Sequence, residues 1–90
     1  MAIASINPAT GKKLKEFSAF TEKEIEERLK RAEEAFARHR REPFAKRGQL
    51  MLAAASLLEQ GKKELAQTIT LEMGKLLGGA MGEIEKCARV

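Results

Sequence analysis

Apolar positions recur every three or four residues through most of the chain, and each recurrence predicts a helix with one face to bury. The clearest start is at Thr21. Thr21 and Glu24 have the spacing of a capping box, in which each side chain takes a backbone N–H left unpaired at a helix N-terminus; Phe20 and Ile25 are placed as the hydrophobic staple. Ile25, Leu29, Ala32 and Phe36 then form one apolar stripe, while Glu26–Lys30, Glu27–Arg31 and Glu34–Arg38 set opposite charges four apart on the wetter side. Such pairs contribute only ~0.2–0.5 kcal/mol each, so burial of the stripe must supply most of the fixation.

Pro43 fits the first turn of a second helix, where its missing N–H costs nothing. Leu50, Ala53, Ala54, Leu57 and Leu58 cluster on one of its faces, and the alanines would let a neighbour approach closely. Gly61 is the expected stop, with Lys62 opening a third helix striped by Leu65, Ile69 and Met73. Gly74 ends that one, because glycine enters the left-handed conformation at little cost and Lys75 suits a negative helix end. Leu77, Met81, Ile84 and Ala88 keep helical spacing beyond it. Gly78, Gly79 and Gly82 oppose it, each losing about 1 kcal/mol relative to alanine, so this last segment should fray unless packed. The pattern runs to Val90 without a closing residue, which reads as truncation.

Ahead of the helices, Ile3-Ala4-Ser5-Ile6 and Leu14-Lys15-Glu16-Phe17 flank a turn in which Pro8 pre-sets one dihedral and Gly11 can supply a positive φ. A β-hairpin follows, with imperfect alternation. An isolated hairpin is marginal in water, so it is expected to lie against another surface. The predicted fold is mainly α: a hairpin in 1–20, then three or four amphipathic helices in 21–90, in one domain. No repeat at a fixed interval suggests a solenoid.

Composition narrows the function by exclusion. The 90 residues are 43% hydrophobic and 33% charged, a soluble globular balance, and no apolar run approaches the ~18–20 residues that span a bilayer. With no basic leader followed by an apolar run, a cytoplasmic location is expected. One cysteine and one histidine exclude an internal disulfide and argue against a zinc site. A net charge of +4 with four phenylalanines and no tryptophan or tyrosine gives little for a nucleic acid to bind.

Three features invite chemistry. Arg38-His39-Arg40-Arg41 is a basic cluster, for which cations gathered at a helix C-terminus is a better reading than a phosphate site. His39 has no nucleophile or carboxylate placed with it, and Cys87 has no assignable base or oxyanion hole. Gly78-Gly79-Ala80-Met81-Gly82 lacks the spacing, the preceding strand and the lysine of a phosphate loop. No catalytic, cofactor-binding or metal-binding residue is therefore assigned.

Four stretches in one register carry a resemblance: Ile6-Asn7-Pro8-Ala9-Thr10-Gly11-Lys12, Arg41-Glu42-Pro43-Phe44-Ala45-Lys46-Arg47, Ile69-Thr70-Leu71-Glu72-Met73-Gly74-Lys75 and Glu83-Ile84-Glu85-Lys86-Cys87-Ala88. Together they are similar to the N-terminal segment of the NAD(P)-dependent aldehyde dehydrogenase superfamily, closest to the succinate-semialdehyde dehydrogenase type. The resemblance implies a fragment of an α/β fold, with a hairpin and helices that open the cofactor-binding domain. It also implies, for the whole family chain, NAD or NADP and oxidation of an aldehyde through a cysteine thiolate, hydride transfer and glutamate-assisted hydrolysis. All those catalytic parts lie later in the family's chain, and Cys87 matches a helical cysteine rather than the nucleophile. The segment is thus expected to be structural and inactive alone, with the remainder of the fold, or a second copy meeting its apolar faces, as partner. A stand-alone helical interaction module is the alternative. Two departures stand out: Leu76 replaces the usual proline, which should soften the break before the last helix, and the glycines at 78, 79 and 82 replace better helix formers.

Overall fold

The computed structural model describes residues 3–90; residues 1 and 2, at the front of the expected 1–20 hairpin segment, lie outside the described residues. The element order is β1 (Ile3–Ile6), β2 (Lys13–Phe17), α1 (Glu22–His39), α2 (Phe44–Met73) and α3 (Leu77–Arg89). The architecture is mainly helical behind an N-terminal hairpin, as the sequence predicts.

α1 begins on the capping box. Thr21 Oγ1 accepts from the Glu24 backbone N–H at 3.3 Å, and Glu24 Oε2 accepts from the Thr21 backbone N–H at 2.8 Å. That backbone bond, with a second from the Thr21 hydroxyl, holds the Glu24 carboxyl below the usual glutamate range. The Arg28 guanidinium lies 4.1 Å from the Phe20 ring centre. None of the three expected charge pairs closes among the described residues; Lys23–Glu27 at 4.0 Å is the ion pair on this helix. Exposed side chains lose rotamer entropy in pairing and gain little, so such pairs are readily exchanged. More consequential is the stripe, because Leu29 is 65% and Phe36 62% exposed, and α1 approaches no other element.

α2 corrects the sequence reading at Gly61. The helix runs unbroken through it for 30 residues, fusing the expected second and third helices, so the described residues hold three helices. Gly61 is flanked by strong helix formers on both sides and has no positive φ, so nothing local turns the chain there. Lys62 then spans the position, pairing with Glu59 at 3.3 Å on its own helix and Glu85 at 3.3 Å on α3. Those two carboxylates, Glu85 foremost, raise the affinity of Lys62 for its proton. Pro43 is the cap residue just before the first turn rather than within it.

The covered face of α2 is also rotated from the expected one. Ala55, Leu58, Lys62, Ala66 and Ile69 form the stripe that is at least half covered, whereas Leu50 and Leu57 stand exposed. α2 is apolar around most of its circumference, so periodicity could not tell which side α3 would cover.

α3 packs along that stripe. Ala66 of α2 and Ala80 of α3 are the fully buried residues among those described, and small side chains let the two backbones close together. Met81, Ile84 and Ala88 continue the seam, and Lys75–Glu83 braces its start. The three glycines therefore lie in an ordered helix, held by the packing that the sequence made a condition. Leu76 does not soften the break: Gly74 takes φ 72°, its N–H donates to the Thr70 carbonyl at 2.9 Å, and helix resumes only at Leu77.

Gly74 also receives the hairpin. A Cβ there would meet Pro8 Cγ at 3.2 Å, and Ser5 Oγ donates to Glu72 Oε1 at 2.6 Å, so the hairpin sits against the C-terminal end of α2. In the turn, Asn7 Oδ1 accepts from the Ala9 N–H at 2.9 Å and Gly11 adopts φ 69°. The strands pair antiparallel, Ile3 with Phe17 and Ser5 with Lys15, with a bulge between Ser5 and Ile6 that accounts for the imperfect alternation. The whole is extended: its radius of gyration is 17.4 Å, against about 12 Å for a closely packed chain of this length.

Candidate functional site

Each sequence candidate can now be placed. His39 ends α1, on a helix that meets no other element, so no partner for proton transfer comes to it. Around it, Arg38 and His39 line the last turn and the Arg40 guanidinium lies 5.6 Å from the Phe36 ring centre. This is the helix-end arrangement of cations.

Cys87 is exposed on the last turns of α3. It edges a shallow cleft of about 180 Å³ between α2 and α3, whose other walls include Met51, Leu52, Ala55 and Leu58. Arg89 also lines it, but no histidine, aspartate or glutamate side chain does, so no side-chain base stands beside the thiol there. Cys87 and His39 are not brought together. Among the described residues, no three histidine, cysteine or carboxylate side chains converge for a metal ion.

A dinucleotide needs a strand that runs through a glycine turn into a helix N-terminus, where backbone N–H groups meet the diphosphate. Neither strand here does that, since β1 and β2 pair only with each other and α1 starts on Thr21. Gly78, Gly79 and Gly82 lie inside α3, Gly11 is in the hairpin turn and Gly74 caps α2. No strand–glycine-turn–helix unit of that kind lies among the described residues.

What the molecule presents instead is surface. α1 exposes Ile25, Leu29 and Phe36; α2 exposes Leu50, Met51, Leu52 and Leu57. Beside the α1 stripe, Arg28, Arg31, Glu34 and Arg38 with Ala32 and Ala35 shape an open trough of about 520 Å³. Sequence reasoning found the stripe but missed the trough; the spacing 28, 31, 35, 38 is the signal that places those residues on one face.

Comparison with known proteins gives this surface a context. The family model described as aldehyde dehydrogenase family matches residues 1–90. A probable NADP(+) succinate-semialdehyde dehydrogenase of Synechocystis sp. is 48% identical over 90 residues, covering 100% of this chain and 20% of that protein. Succinate-semialdehyde dehydrogenase (NADP(+)) 1 of Mycobacterium tuberculosis is 45% identical over 89 residues, covering 99% of this chain and 20% of its own. The corresponding protein of Mycobacterium avium is 44% identical over 90 residues, which is 19% of its length. The chain thus spans about a fifth of the length of the curated relatives that it matches.

Proposed function

From the premise that this chain belongs to the aldehyde dehydrogenase family, we propose that it is the N-terminal part of an NAD(P)-dependent enzyme oxidising an aldehyde to its carboxylic acid. Succinate semialdehyde is the proposed substrate, after the names of the relatives. Residues 21–90 open the cofactor-binding domain without touching the cofactor. They serve as scaffold, are inactive alone, and have the remainder of the fold as partner.

The observation that carries this reading is the pairing of whole-chain identity with a fifth of the relatives' length. Identity of that extent favours an enzyme segment over a stand-alone helical interaction module. The proposed location is the cytoplasm, which the free, exposed Cys87 suits. No helix among the described residues is long and apolar enough to cross a membrane.

The test has two arms. Purified 90-residue chain, given succinate semialdehyde and NADP+, should reduce no nicotinamide. The mass of the protein in its source cells should correspond to a chain about five times longer. Turnover by the 90 residues alone, or a natural product of their mass, would overturn the proposal.

A further inference from the structure

α3 covers only one side of α2. About 120° around the same helix, at 3.6 residues per turn, a second stripe runs through Leu50, Ala54, Leu57, Gly61 and Glu64. Its positions alternate four and three apart, the spacing of a coiled-coil seam. Leu50 is 53% and Leu57 67% exposed, and the neighbours of α2 among the described residues are α3 and, at the far C-terminal end, β1. Gly61 is the anomaly in this stripe. Inside a helix it loses about 1 kcal/mol relative to alanine, and a Cβ there would meet Leu65 of its own helix at an ordinary 3.8 Å, so nothing within the chain calls for the glycine.

We propose that this stripe is an interface between two copies of the chain, with their α2 helices antiparallel about a two-fold axis that passes between Ala55 and Ser56. In that register Leu50 enters the gap at Gly61 of the second copy, and Leu57 lies against Ala54. Lys46 comes level with Glu64 of the second copy to within one residue's rise, about 1.5 Å, on the same border of the seam. Each contact occurs twice by symmetry. Glu64 has no ion-pair partner among the described residues, and Lys46 pairs with Glu42 on its own chain at 3.1 Å. Arg47, whose guanidinium lies 5.3 Å from the Phe44 ring centre, is on the other border, level with Leu65 of the second copy. A parallel pair fits less well, because it sets Gly61 against Gly61 and Glu64 against Glu64. α3 already holds α2 helical, so the second copy need not supply the helix. Every residue used lies on α2, and the inference does not rest on the family reading.

Sedimentation velocity of the 90-residue chain across the micromolar range tests this, and the chain should pass from monomer to dimer as concentration rises. Gly61→Leu fills the gap with a good helix former, so it should weaken the dimer by roughly tenfold or more and leave helical circular dichroism unchanged. Lys46→Glu and Glu64→Lys should each weaken it, and the two together should restore it, since the pair re-forms with its signs exchanged. A parallel dimer would show no such rescue, because position 46 would face itself. Misfolding cannot produce the rescue either. A chain that stays monomeric at every concentration overturns the proposal and leaves the stripe to the remaining part of the family fold. A dimer indifferent to Gly61→Leu, or charge changes that their combination does not rescue, overturns it in favour of another face.

Discussion

α1 and α3 reach the helical state by opposite routes. α1 has a closed capping box, acidic residues in its first turn and basic residues in its last, and it packs on nothing. α3 has three glycines and no side-chain cap, and it is held along α2 by a seam that buries Ala66 and Ala80 and by Lys62–Glu85. A helix can therefore be specified by its own sequence or by its neighbour. In this chain the locally specified helix is the one whose apolar face is left for something else.

The sharpest way to break that contrast is to enlarge an alanine on each side of it. Ala66→Leu forces the α2–α3 seam apart and should lower unfolding stability by ~1–3 kcal/mol, whereas Ala32→Leu on the exposed α1 stripe should stay within about 0.5 kcal/mol. Urea unfolding of the two variants checks this. Thr21→Ala should remove about 1 kcal/mol from α1 alone, seen as lost helicity with the α2–α3 transition unmoved.

Two substitutions should strengthen the packed side. Thr70 Oγ1 is buried without a hydrogen-bond partner among the described residues, so Thr70→Val should add about 1 kcal/mol by replacing an orphaned hydroxyl with a methyl group of similar shape. Gly82 has open space where a Cβ would stand, so Gly82→Ala should add somewhat less than 1 kcal/mol through helix propensity. A loss at Gly82 would mean that a second body needs that space.

The smallest effect is the pH dependence of the α1 cap. Because Glu24 is held below its ordinary range, its contribution is complete above the range in which an unfolded glutamate titrates, and is lost as pH falls through the lower folded value. The Thr21 amide resonance should follow that acid titration. In Glu24→Gln it should not, since the glutamine amide closes the same capping box but does not ionise.

Legibility in the sequence follows the same divide. Thr21 with Glu24, Asn7 to Gly11 and Gly74 were readable because each fixes its own backbone through side-chain hydrogen bonds or a positive φ. Gly61 was misread because its helical state depends on the flanking formers and on Lys62 reaching Glu85, a residue 23 positions away. The covered face of α2 was misread because Leu50, Leu57, Leu58 and Leu65 leave several apolar directions open, and only the position of α3 selects one. No catalytic candidate emerged from the sequence, and Cys87 and His39 gain no chemical partner in the fold.

Amide hydrogen exchange on the isolated chain tests the contrast most directly. α1 amides should exchange with little more protection than a lone capped helix gives, while amides along Ala55–Ile69 and Ala80–Ala88 share one higher, common protection. Equal protection across all three helices would contradict it, because α1 would then be held by a contact within the chain.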